Sequence, residues 1–178
     1  MPSNEDRLYV ALYVRCGDSI MPGKEDTYHW ALIVGPKDEA PGKRGVRYHA
    51  REIQNVDGGN AWFFEERECL LTPTSMLRVR VMVSEVADGN RLAQILRTIP
   101  IRQNLQGWNC VAWVKEALES LNADSTALLT EIDWETVRTE TMEYCQKKTD
   151  QNRFDGQGGF DLTKAPTYDL VKRKEIII

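Results

Sequence analysis

Three residues of this 178-residue chain have the side chains of a covalent acyl-transfer centre: Cys110, His29 and His49, the last two being its only histidines. Cys110 opens an amphipathic run, "NCVAWVKEALESL", and Asn109 stands where an N-cap belongs. In the first turn of a helix, unsatisfied N–H groups and the positive end of the macrodipole, about half a charge, stabilise a thiolate. Thiols in such places are the reactive ones. Free cysteine is also among the most buried residue types, so Cys110 taken alone reads as well as packing. The histidines shift the weight. His29 lies in "TYHWALIVG", where a titratable ring among apolar neighbours is costly without a partner. His49 lies in the next extended segment, "VRYHAREI", so antiparallel pairing can bring both imidazoles to one face. Nucleophile, base and orienter are then present.

Other residues around this set have two readings each. Gln103 and Gln106 precede the cysteine, and either amide, with the Cys110 backbone N–H, would donate to an oxyanion; exposed loop glutamines are the plainer alternative. Asn109, besides its cap position, stands with them as a possible oxyanion or substrate contact. Trp30 and Trp108, with Trp62 and Trp113, would line an apolar pocket beside the thiol or simply fill the core. Cys110 and the two histidines could also bind zinc with a water as fourth ligand. That reading ranks below catalysis, since only one of the four cysteines (Cys16, Cys69, Cys110, Cys145) is near and none forms a CxxC pair. No metal or cofactor is expected.

The elements that must position these groups follow from periodicity. Residues 7–15, 27–35, 46–53, 61–67 and 76–86 read as strands, with "NVDGGN" as a turn between the third and fourth. In 76–86 the alternation of Leu77, Val79, Val81 and Val83 with Arg78, Arg80, Met82 and Ser84 predicts one buried and one solvated face. Helical spacing starts at 88–99, ends at Pro100, and resumes over 110–121 and 133–148, with Asp133 as cap. Residues 149–178 read as an irregular C-terminal extension of one domain spanning 1–178. Its glycine-rich part, 153–161, is either a substrate loop or a tight surface connection. Strands first and helices after make the class α+β.

The strand "YHWALIVG", a following strand bearing "YHA", and a later "NC" opening a helix resemble the circularly permuted branch of the NlpC/P60 (papain-like) superfamily, which includes the lecithin–retinol acyltransferase-like proteins. The resemblance runs over about residues 7–122 and extends to fungal proteins with "NC…WV" segments. It implies a papain-like antiparallel sheet packed against helices, with the histidine strands before the cysteine helix. It implies Cys110 as nucleophile, His29 as base and His49 in the supporting role.

Composition sets the bounds. With 42% hydrophobic and 28% charged residues the chain is an ordinary globular sequence. A net charge of −4 argues against a dedicated nucleic-acid binder. No apolar run approaches the roughly 20 residues of a membrane span, and the acidic start "MPSNEDRLYV" is unlike a signal peptide. The cysteines are therefore expected as reduced thiols in the cytoplasm. The expectation is a cytoplasmic thiol hydrolase or acyltransferase (amide formation included) working through a Cys110 thioester on a small-molecule, peptide, acyl or aminoacyl substrate. The alternative is a catalytically silent papain-like binding or scaffold module.

Overall fold

In a computed structural model of the chain, residues 6–38, 40 and 42–178 are described. The acidic start at 1–5 and Glu39 and Pro41 of the 36–45 connection lie outside them. Five strands come first: β1 (Asp6–Val14), β2 (Tyr28–Pro36), β3 (Arg44–Gln54), β4 (Asn60–Leu70) and β5 (Leu77–Glu85). Three helices follow, α1 (Gly89–Thr98), α2 (Cys110–Asp124) and α3 (Trp134–Asp150), then short strands β6 (Thr167–Asp169) and β7 (Lys174–Ile177). All seven strands form one sheet in the order β4-β3-β2-β1-β5-β6-β7. Every neighbouring pair is antiparallel except β5–β6. The architecture is α+β.

Strand alternation divides the sheet into two faces. Leu8, Val10 and Leu12 of β1, Trp30 and Leu32 of β2, Tyr48 and Ala50 of β3, and Val79, Val81 and Val83 of β5 join the three helices in the main core. On the reverse face Tyr9, Ala11, Ile33 and Met82 meet Leu71, Leu77 and Ala165 in a second, smaller cluster. That second cluster alters the reading of 76–86. Arg80 is buried, not solvated; its guanidinium donates to the Leu71 carbonyl at 3.0 Å and lies over the Tyr9 ring. Arg78 stacks on Phe154.

The tail is also more ordered than expected. Instead of an irregular extension, 149–178 carries β6 and β7, and the sheet continues through it. Buried charges tie it down. Arg153 donates to the carbonyls of Asp161 (3.1 Å) and Lys164 (2.8 Å) and packs on Phe160, so the glycine-rich 153–161 segment wraps a guanidinium. Lys148, 1% exposed, pairs with Glu175 of β7 at 2.5 Å, and Tyr144 donates to the same carboxylate at 2.6 Å. Among the described residues no helix is long and apolar enough to cross a membrane.

Candidate functional site

The β3–β4 hairpin turns about Asp57, and its register sets His49 directly opposite Glu65. Their side chains meet: His49 Nε2 lies 2.5 Å from Glu65 Oε2. The other ring nitrogen of His49, Nδ1, lies 2.6 Å from His29 Nε2. A relay Glu65–His49–His29 thus crosses three adjacent strands on the face away from the helices.

Proton positions along the relay follow from its end. Partial burial raises the Glu65 pKa, but the hydrogen bond from His49 and the nearby His49, Arg47 and Arg51 outweigh it and hold the carboxyl below its usual range. An ionised carboxylate only accepts, so His49 Nε2 carries a hydrogen. Neutral His49 then accepts through Nδ1, which makes His29 the donor through Nε2–H. His29 Nδ1 is left as the unprotonated nitrogen. Both rings are neutral near pH 7: burial first, then the His49 and arginine charges, push His29 down to about 3, and burial lowers His49 as well.

Cys110 approaches the relay from the other side. Asn109 caps α2, its Oδ1 accepting from the N–H groups of Val111 (3.0 Å) and Ala112 (3.2 Å). The helix packs on β2 and β3, and the Cys110 sulfur accepts from the Trp30 backbone N–H at 3.5 Å. Pairing of β2 with β3 runs only from Val34↔Val46 to Leu32↔Tyr48, so the two strands separate beyond that point. A strand N–H points along the sheet toward a neighbouring strand. The sulfur therefore occupies a ladder position beside β2, one residue from His29 along the strand, or about 3.8 Å between successive Cα atoms. Alternation sends the His29 ring to the face opposite Trp30 and the main core. Among the described residues no hydrogen bond joins the Cys110 thiol to either imidazole.

The thiol is 1% exposed. Burial raises its pKa to about 11, against the opposing pull of the Trp30 N–H, the Arg15 charge and the N–H groups at the helix start. Arg15 acts on both Cys110 and His29, and it is also held by its bond to the Asp26 carbonyl at 2.6 Å. The segment between β1 and β2 reaches the start of α2. Met21 packs on the main core and its sulfur accepts from Asn109 Nδ2 at 3.4 Å. Buried Asp26 fastens this segment, accepting from Ser19 Oγ (2.5 Å) and from the N–H groups of Ile20 (2.9 Å) and Met21 (3.2 Å).

The remaining sequence candidates fall elsewhere. Gln103 is engaged by β4: its Oε1 accepts from the Trp62 N–H at 2.8 Å and its amide donates to the Trp62 carbonyl. It is a brace between the α1–α2 connection and the sheet, tied to the backbone of β4 rather than to the Cys110 sulfur. Gln106 is exposed. Trp108 is buried against Trp62, and Trp30 is fully buried, packed on Trp134 with its indole N–H on the Glu25 carbonyl. Both belong to the core rather than to a pocket wall. Trp62 does line an open groove of about 400 Å³ with His29, His49 and Glu65. All four cysteines are free. Among the described residues no set of three or more His, Cys, Asp or Glu side chains is placed to hold a metal ion; the facing nitrogens of the two histidines bond to each other.

Glu65 was missed in the sequence, although the signal was present. With the turn centred on Asp57, residue 49 faces residue 65. A family model described as "Family of unknown function (DUF6914)" matches residues 5–177. Neither comparison with curated proteins nor comparison with solved structures gave a match.

Proposed function

We propose that this chain, which belongs to the DUF6914 family, is a cysteine-dependent acyl-transfer enzyme, a thiol hydrolase or an acyltransferase, of permuted papain-like design. One observation carries the reading: the Glu65–His49–His29 relay ends one residue from the strand N–H that holds the Cys110 sulfur at the start of a capped helix. Cys110 supplies the nucleophile. As it attacks a substrate carbonyl, its proton passes to His29 Nδ1 and a sulfur–carbon bond forms. The imidazolium is stabilised through His49 by Glu65, and His29 then protonates the leaving group as the carbon–heteroatom bond breaks. Water or an amine, deprotonated by the same ring, resolves the thioester and returns the proton to sulfur.

The resting pair is a neutral thiol beside a neutral imidazole, since burial opposes charge on both. Deprotonation therefore accompanies attack instead of preceding it. The test is the pH profile of Cys110 alkylation by iodoacetamide in the parent, Cys110→Ser, His29→Ala and His49→Ala proteins, with folding checked by circular dichroism. Cys110→Ser should abolish labelling at this position. His29→Ala should remove most of the neutral-pH reactivity, and His49→Ala less of it.

The second reading, a silent papain-like binding module, is favoured by the burial of the thiol and by its lack of a histidine hydrogen bond. Alkylation that is slow at Cys110 and insensitive to both histidines decides for it.

A further inference from the structure

The groove on the open face of the sheet has an unusual balance of charge for a chain of net charge −4. Arg15, Arg47, Arg51 and Arg67 line it together with two carboxylates, Glu52 and Glu65. Among the described residues only Glu65 of these carboxylates is engaged in ion pairs, with Arg47 at 3.7 Å and Arg51 at 3.5 Å, and it also accepts from neutral His49. Arg15 donates to a backbone carbonyl rather than to a carboxylate. The Arg47 Nε is buried without a hydrogen-bond partner, and its guanidinium lies 5.5 Å from the centre of the Tyr13 ring. Arg67 is exposed on β4 and has no ion-pair partner among the described residues. Guanidinium groups that converge on a concave surface without enough carboxylates to match them bind anions, with the planar fork suited to two oxygens at once. The acidic remainder of the surface makes this groove the place where an anion is drawn.

Resting on the acyl-transfer reading and deepening it, we infer that the groove beside His29 and His49 binds the carboxylate or phosphate group of a small anionic substrate, holding its carbonyl toward the Cys110 side of β2. The polar lining selects a charged, water-soluble compound over an aliphatic chain. Arg47 and Arg67 are placed to take the anion, and Arg51 shares its charge between it and Glu65. Arg15, which acts on both Cys110 and His29, marks the end of the groove where the reacting carbonyl would lie.

The test separates anion binding from thiol chemistry by using full-length Cys110→Ala protein. Inorganic phosphate and succinate are titrated separately while the ring resonances of the two histidines are followed. Saturable shifts of both histidines are expected with at least one anion, and the two titrations distinguish a phosphate site from a carboxylate site. An Arg51→Gln/Arg67→Gln double variant, both residues being exposed, should weaken binding about tenfold or more, because hydrogen bonds to charged groups contribute about 1.5–3 kcal/mol each. Arg67→Lys, which keeps the charge, should lose less than Arg67→Gln. In the protein with Cys110 intact, iodoacetate should gain on iodoacetamide relative to the same pair on free cysteine, and the double variant should erase that gain. No saturable shift with either anion, or equal binding by the double variant, overturns the inference. Anion binding without any reaction at Cys110 keeps the groove and removes the acyl-transfer reading; the reverse outcome keeps the enzyme and removes the groove.

Discussion

Replacing Glu65 with glutamine tests the far end of the relay at little structural cost, since its side chain is half-buried and the amide has nearly the same shape. In the parent the carboxylate accepts from His49 Nε2 at 2.5 Å, and this bond fixes the hydrogen positions of both rings. A neutral amide accepts more weakly and can turn its NH₂ toward His49. The ring then also populates the Nδ1–H form, which cannot accept from His29. A hydrogen bond to a charged group contributes about 1.5–3 kcal/mol. At about 1.4 kcal/mol per factor of ten, losing it in the charged transition state slows acylation ~10- to 100-fold. The assay is the rate of Cys110 acetylation by p-nitrophenyl acetate, followed by intact mass, with ¹⁵N shifts of the two histidine rings reporting their tautomers. A slower rate with mixed tautomers is expected. Parent-like tautomers with an unchanged rate would show that Glu65 does not govern the relay.

Three further outcomes follow from the same structure. The folded-state pKa of His29, about 3, lies below its ordinary 6.5, so its contribution to stability is fully present above pH 6.5. It is lost as pH falls toward 3, by up to about 1.4 kcal/mol per pH unit; urea unfolding should show this slope in the parent and a shallower one in His29→Gln. Glu175→Gln leaves the Lys148 ammonium buried without a counter-charge and should cost about 3 kcal/mol; a parent-like urea midpoint would mean that another group neutralises it. Asn109→Ala removes the acceptor for two N–H groups at the start of α2 and should cost about 1 kcal/mol, whereas Asn109→Asp should retain the cap; equal unfolding curves for the two variants would contradict that role.

What could be read from the sequence was local, and what could not depends on distant packing. The five long strands and three helices follow from alternation and 3.6-residue spacing, and Asn109 and Asp133 both cap as their side chains allow. Glu65 required one more step, turning the NVDGGN turn into a register, and that step was available from the chain alone. The burial of Cys110 was not. It results from α2 packing on β2 and β3, which sets the thiol in the main core beside the Trp30 N–H, a long-range contact that no periodicity encodes. The same applies to Arg80, whose alternating position suggests solvent but whose face is covered by Leu71, Leu77 and Ala165. Residues 167–169 and 174–177 are too short to signal strands by themselves. They pair because β5 offers an edge and because Lys148 and Arg153 anchor the chain beside it.

Whether Cys110 forms a thioester with the help of His29 is decided by the location and rate of acyl-enzyme formation. Parent protein, Cys110→Ser and His29→Ala are each treated with p-nitrophenyl acetate near neutral pH, and every cysteine is mapped by peptide mass spectrometry. Acetylation should concentrate on buried Cys110 ahead of exposed Cys16, be absent at this position in Cys110→Ser and be strongly slowed in His29→Ala. Acetylation of Cys16 with Cys110 untouched, or an undiminished rate at Cys110 without His29, would contradict the thioester mechanism.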